Sequence, residues 1–144
     1  MPTSVNQASI LVPMLVVVLL TFIAFIRMAA ARGAAVKAGH DPAYYRAQLG
    51  PPEPEATVVA VRHYHNLLEL PVLFYAACLT AFALSAVSGW ALLFAWAYVG
   101  ARIVQSAIHL TYNNPSHRGG AFLLGVVCML ALWIMLALAV FARL

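Results

Sequence analysis

Three long stretches of this sequence carry no charged residue: residues 1–26, 70–101 and 119–142. Each is long enough to hold the roughly 20 residues that an α-helix needs to cross the hydrocarbon core of a bilayer. Hydrophobic residues make up 65% of the chain and charged residues only 8%, which is typical of integral membrane proteins. Because backbone polar groups must be paired inside lipid, these stretches are expected to be helical.

The charge-free stretches and the turns between them predict four transmembrane helices in up-and-down order. A secretory signal peptide is the alternative for the first helix, but no basic residue precedes its apolar run. The predicted turn at 85–89 is so short that the helices on either side must be antiparallel neighbours. The sequence therefore predicts one all-α domain, an integral membrane four-helix bundle, with helices over residues 9–31, 58–84, 90–112 and 119–142.

One substantial loop, residues 32–57, separates the first two predicted helices and gathers charges and prolines. Asp41 followed by Pro42 predicts the N-cap and first position of a short helix, which Gly50 ends. A flexible connector without a role is the alternative interpretation of this loop.

Basic residues are concentrated around two of the three connections, which predicts how the chain is oriented. The positive-inside rule places the 1–2 and 3–4 loops in the cytoplasm and both termini on the other side. The chain has eight Lys and Arg against four Asp and Glu, but it lacks the basic runs expected for nucleic-acid binding. An Ala-rich, short-looped chain favours a bacterial inner membrane. The basic residues near the cytoplasmic loops are Arg27, Arg32, Lys37, Arg46, Arg62 and Arg118, whereas only Arg143 lies on the opposite side.

Polar side chains interrupt the second predicted helix near its start. Arg62, Asn66 and Glu69 are spaced i, i+4 and i+7, so they share one helix face, with His65 beside them. An ionisable residue inside an apolar membrane stretch indicates a functional site. Pro71 removes one backbone hydrogen bond shortly after this face and predicts a bend in the helix.

The third predicted helix has a polar face of its own. Glu69 and Arg102 each lie about ten residues, or roughly 15 Å, from the cytoplasmic boundary. An ion pair between them, within one subunit or across an interface, would remove two uncompensated charges from lipid. The polar face of the third helix consists of Arg102, Gln105, Ser106, His109 and either Tyr112 or Asn113.

No metal site is predicted from the histidines and cysteines. His63 and His65 point about 200° apart on a helix, which does not suit a shared metal ion. Cys78 and Cys128 lie far apart in apolar segments without a C-x-x-C spacing, which indicates buried, reduced thiols.

Read in chain order, the sequence carries three short motifs: Arg62-x-x-x-Asn66-x-x-Glu69-x-Pro71, then Arg102-Ile103-Val104-Gln105-Ser106-Ala107-Ile108-His109-Leu110, then Arg118. This order, on four predicted helices, resembles the MAPEG superfamily. Members include microsomal glutathione transferases, leukotriene synthase and microsomal prostaglandin E synthase. The resemblance covers nearly the whole chain in length, helix number and charge placement.

The resemblance implies a homotrimer that binds glutathione at each subunit interface, on the cytoplasmic side. Arg118 is the expected catalytic residue, which stabilises the glutathione thiolate. His109 occupies a position where many members have a tyrosine, and Tyr112 is one turn further on. At Leu67 and Leu70 the family more often has polar residues. The expected glutathione-binding residues are Arg62, Asn66, Glu69, Arg102, His109 and Tyr112.

The implied function is that of a membrane-bound, glutathione-dependent transferase or peroxidase whose second substrate is a lipophilic electrophile or hydroperoxide from the bilayer. A catalytically silent, MAPEG-like scaffold or lipid-binding protein is the main alternative. A proton pathway through Glu69, Arg102 and His109 is a third. Simpler roles also remain for single residues: an interfacial anchor for Arg62, interhelical contacts for Asn66, topology for Arg118 and polar packing for His109.

Overall fold

The computed structural model describes residues 5–144, and these residues form helices and connecting turns with no strand. Four helical spans are long and apolar enough to cross a membrane, when α3 and α4 are counted as one. The predicted all-α, four-helix membrane protein is therefore confirmed. The elements are a 3-10 turn (Gln7–Ile10), α1 (Leu11–Lys37), α2 (Tyr44–Ala47), α3 (Glu55–Glu69), α4 (Pro71–Ala83), α5 (Gly89–Leu110) and α6 (Pro115–Phe141).

The helices extend beyond the apolar stretches from which they were predicted. α1 continues to Lys37, six residues past the predicted limit at 31, and α3 begins at Glu55 rather than at 58. Arginine, lysine and glutamate are good helix formers, and a cation in the last turn or an anion in the first turn is favourable. Loss of hydrophobicity therefore marks the edge of the membrane and not the end of the helix.

The second predicted helix is divided at Pro71 into α3 and α4. Proline has no N–H to donate to the preceding turn, so the helical hydrogen bonding breaks there. Leu70 nevertheless keeps helical backbone angles, φ −69° and ψ −35°. The two segments therefore continue in one direction as a single span.

Aromatic side chains of α4 and α5 meet in the core. Phe74 and Tyr98 are fully buried, and their rings stack with centroids 4.2 Å apart. α5 and α6 form the closest helix pair, with Gly125 of α6 lying against Tyr98 and Ala101. This packing fixes α5 between its neighbours and so fixes the depth of its polar face.

Both chain ends lie at the end of the bundle that carries the α4–α5 turn. The Gln7 side chain accepts a hydrogen bond from the backbone N–H of Val87 (2.8 Å) and donates to the carbonyl of the same residue (3.2 Å). At the other terminus, Arg143 donates to the carbonyl of Leu84 (2.5 Å). These contacts hold residues near both termini against the α4–α5 turn at one end of the bundle. The 38–54 and 111–114 connections lie together at the other end.

The 38–54 connection folds back onto the end of α1. Arg32 pairs with Glu53 (3.2 Å), and its guanidinium lies over the Tyr45 ring, 5.1 Å from the centroid. The predicted short helix is present as α2, but its limits differ from the prediction: the N-cap is Ala43 rather than Asp41, and the C-cap is Gln48, two residues before Gly50. Asp41 accepts a hydrogen bond from the Ala43 N–H (2.8 Å), and the helix ends at Gln48, which has a left-handed backbone (φ 56°). The connection is therefore packed against the bundle.

Candidate functional site

The polar face of α3 lines a cavity with the start of α6 and the end of α5. The cavity has a volume of about 240 Å³. The helical spacing brings the α3 residues to one wall, and the α5–α6 turn brings the residues of the other wall opposite them. The lining residues are Arg62, His65, Asn66, Glu69, His109 and Arg118.

Exposure differs sharply between the two walls of this cavity. Arg62, His65 and Glu69 are exposed in the single chain, whereas His109 is only 2% exposed. A charged group at membrane depth is costly unless protein or water covers it. The α3 wall is therefore a surface that a single chain leaves incomplete.

A second, smaller cavity of about 200 Å³ continues from the first along α5 and α6. Asn66 and Arg118 line both cavities, so these two side chains stand at the junction. Gln105 and Phe122 line the continuation. The polar space at this end of the bundle is thus larger than the first cavity alone.

The start of α6 differs from the prediction and changes the position of Arg118. The fourth helix was predicted to begin at residue 119, but α6 begins at Pro115, with Asn114 as its N-cap, so Arg118 lies inside the helix. The Asn114 side chain accepts from the N–H groups of Ser116 (2.9 Å) and His117 (3.2 Å), and the Arg118 N–H bonds to the Asn114 carbonyl. Asparagine at the N-cap followed by proline is itself a start signal. The backbone N–H groups of Ser116, His117 and Arg118 are therefore already bonded within the chain and are not free to bind an anion.

The Arg118 side chain is held in place by the last turn of α5 and the residue that follows it. Its Nη1 donates to Asn113 Oδ1 (2.6 Å) and lies 3.4 Å from His109 Nε2. Asn113 has a positive φ of 46°, a conformation that asparagine adopts more readily than most residues. Two side chains thus fix a half-buried guanidinium at the edge of the cavity.

The predicted ion pair between Glu69 and Arg102 within one subunit is wrong. Arg102 is 1% exposed and donates to Gln105 Oε1 (2.6 Å) and to the backbone carbonyl of Asn66. Its guanidinium also lies 5.7 Å from the Phe122 ring centroid. Among residues 5–144 the one ion pair is between Arg32 and Glu53. Arg102 points into the chain, while Glu69 lies on the outward face of α3.

Tyr112 does not line the cavity that contains Arg118. Its side chain is 61% exposed, and its hydroxyl lies 3.1 Å from His117 Nδ1. It lines a separate cavity at the loop end, beside Arg27 and Glu55. Of the predicted site residues, one chain therefore brings five to one cavity, places Arg102 behind it and leaves Tyr112 elsewhere.

Two residues were missed as part of this site. His65 was noted only as a neighbour of the polar face, although its position three residues after Arg62 places it on the same wall. Asn113 was only an alternative end of the α5 stripe, yet it is the hydrogen-bond partner of Arg118. The Asn-Asn-Pro sequence is a signal for both the left-handed residue and the helix cap.

Comparison with known proteins identifies the chain at the level of a family. The model of the MAPEG family matches residues 10–138. The search of the curated proteins gave no match, and neither did the search of the solved structures. The matched range includes nearly all of the four membrane spans and every residue that lines the cavity. The chain therefore belongs to the MAPEG family.

Proposed function

We propose that this protein is a membrane-bound, glutathione-dependent transferase or peroxidase that ionises the glutathione thiol at Arg118. The observation that carries the proposal is the position of the Arg118 guanidinium, which Asn113 and His109 hold at the edge of a polar cavity. Family membership supports glutathione-related chemistry.

The charges around the cavity suit the chemistry of glutathione. The tripeptide carries two carboxylates and an ammonium group, and the cavity offers the cations Arg62 and Arg118 and the carboxylate Glu69. Charge-assisted hydrogen bonds of this kind are roughly twice as strong as neutral ones. We assign Arg62 to a carboxylate of the ligand, Glu69 to its ammonium group and Asn66 to its peptide groups.

Stabilising the thiolate is within the reach of one arginine. A thiol with a pKa near 8.5 must be lowered by about two units to be mostly ionised at neutral pH, which requires about 2.7 kcal/mol. A cation about 4 Å away at an effective dielectric constant of about 20 contributes about 4 kcal/mol. An arginine suits this role because it stays protonated.

The incomplete α3 wall supports a homotrimer with the ligand between subunits. A neighbouring copy would cover Arg62 and Glu69, and burial would then strengthen their contacts with a charged ligand. The loops at the Arg118 end carry most of the basic residues, so we place this end in the cytoplasm and both termini on the other side. Glutathione then enters from the aqueous side, and a lipophilic electrophile or hydroperoxide enters from the bilayer.

Replacing Asn66 by alanine is expected to weaken glutathione binding about tenfold, because one hydrogen bond to a peptide or charged group contributes about 1.5 kcal/mol. Arg102 binds the backbone carbonyl of Asn66, so removing the side chain leaves that contact intact. The change is measured by calorimetric titration of the detergent-purified protein, with Gln48→Ala in the exposed loop as the control.

Turnover assays on the same preparations test the reaction. The proposal predicts conjugation of an aryl halide, or reduction of a fatty-acid hydroperoxide, at a rate that falls in Asn66→Ala. A protein that neither binds glutathione nor turns over either substrate class would instead be the catalytically silent scaffold or lipid-binding protein.

A further inference from the structure

His109 separates two polar cavities. One is the cavity that contains Arg118, and the other, about 480 Å³, lies at the loop end between α1, α3 and the end of α5. His109 is the one residue that lines both. The loop-end cavity includes the charged side chains of Arg27 and Glu55, which are exposed. A single buried imidazole therefore lies between the ligand cavity and a cavity open to solvent.

The contact with Arg118 fixes the tautomer of His109. An arginine side chain has only donors, so the ring nitrogen that faces Arg118 Nη1 at 3.4 Å must be an acceptor. His109 Nε2 is therefore unprotonated, and the proton of the neutral ring is on Nδ1. The buried Nδ1 has no hydrogen-bond partner among the described residues.

His63 adds two more buried nitrogens at the same place. It is 3% exposed, its ring centroid lies 5.3 Å from that of His109, and both of its nitrogens lack a partner in the described part of the chain. Buried polar atoms are almost always hydrogen-bonded, to protein or to ordered water. Three unsatisfied imidazole nitrogens beside a polar cavity thus indicate ordered water around His109.

We infer that His109 carries the proton of the glutathione thiol out of the ligand cavity, an inference that rests on the proposed function. As the S–H bond breaks, its electron pair stays on sulfur, Arg118 Nη1 turns its N–H from His109 Nε2 to the thiolate, and the thiol proton binds the freed Nε2. The imidazolium then releases the Nδ1 proton to water in the loop-end cavity, where Glu55 is the nearby carboxylate. One proton leaves for each thiolate formed, and exchange with water later restores the first tautomer.

Arg62 and Arg118 cannot take up this proton because both are already protonated. Glu69 and His65 can, but neither of them lines the loop-end cavity.

Charged and titratable groups on every helix packed against His109 set the electrostatic environment of the relay. These groups are Arg27 of α1, Glu55, Arg62, His63 and Glu69 of α3, Arg118 of α6, and Tyr112 just beyond the end of α5.

Rapid mixing with glutathione tests the relay, with thiolate formation followed by ultraviolet absorbance and proton release followed by a pH-indicator dye. In the wild type both signals should rise together, and the rate should fall at low pH as the imidazole becomes protonated. His109→Gln and His109→Tyr each carry an oxygen that can accept from Arg118, so they should form a similar amount of thiolate at equilibrium, but about a hundredfold more slowly, since general base catalysis contributes at least that factor. Their low-pH inflection should disappear.

The tyrosine variant keeps an aromatic ring at this buried position, so a misfolded glutamine variant leaves the test intact. His40→Gln, whose side chain lines neither cavity, is the histidine control and should keep the wild-type rate. Wild-type rates of thiolate formation in both His109 variants would overturn the relay. Slow thiolate formation in Glu69→Gln, with wild-type rates in both His109 variants, would overturn it too. A wild-type protein that forms no thiolate would instead overturn the proposed function.

Discussion

Arg118→Ala is expected to lower the thiolate fraction of bound glutathione about 25-fold at neutral pH, from about three-quarters to about 3%, because without the guanidinium the thiol returns by about two units towards its ordinary pKa. Conjugation should fall by a similar factor. The substitution removes the contacts of Arg118 with Asn113 and His109 but leaves the α3 residues of the cavity unchanged. Glutathione should therefore still bind through the α3 residues. The thiolate absorbance at saturating glutathione measures the change.

Arg118→Lys separates charge from geometry in this prediction. A lysine keeps the positive charge but not the planar fork that lies between Asn113 and His109, so we expect an intermediate thiolate signal. Arg46→Ala in α2 removes a cation far from the cavity and should leave the signal unchanged. If Arg118→Ala retained the full thiolate absorbance, another group would have to stabilise the anion.

Arg102→Ala is expected to destabilise the protein by about 3–5 kcal/mol, because it leaves buried acceptors unpaired and opens a cavity in the core. Arg102 is among the largest fully buried side chains of the described residues, and it joins α5 to α3 through the Asn66 carbonyl. Thermal unfolding in detergent, followed by aggregation or by circular dichroism, should show a clearly lower midpoint.

Arg62→Ala is the matched control for this stability prediction. Arg62 is also an arginine of the polar region, but it is exposed in the single chain, so its removal should cost little stability while weakening ligand binding. Equal melting temperatures for the two variants would contradict the structural role of Arg102. Arg102→Met, which fills much of the lost volume, should recover part of the stability.

Hydrophobic patterning was sufficient to predict the architecture. Charge-free stretches as long as 70–101 allow few structures other than membrane helices, and the short turn after α4 requires antiparallel neighbours. Helix ends were harder to predict from the sequence, because residues such as Lys37 continue a helix beyond the apolar stretch without any change in backbone preference. The start of α6 was misplaced for a different reason: the Asn114-Pro115 cap was interpreted as part of a turn.

The hydrogen-bond partners of the site's side chains were harder to predict than the helix faces on which those side chains lie. Helical periodicity correctly placed Arg62, Asn66 and Glu69 on one wall of the cavity. It could not give the direction of Arg102, whose long side chain reaches a backbone carbonyl that has no signature in the sequence. Glu69 was predicted to be the partner of Arg102 only because the two residues lie at a similar depth from the cytoplasmic boundary.

The central claim, that the cavity binds glutathione as a thiolate, is tested most directly by calorimetric titration of the wild-type protein in two buffers of different ionisation enthalpy. Ionising the thiol on binding releases a proton to the buffer, so the apparent binding enthalpy should differ between buffers by an amount that corresponds to about one proton per glutathione near neutral pH. S-methylglutathione, which has no thiol proton, should bind without this difference. Binding of glutathione with the same enthalpy in both buffers, or no binding at all, would contradict the account.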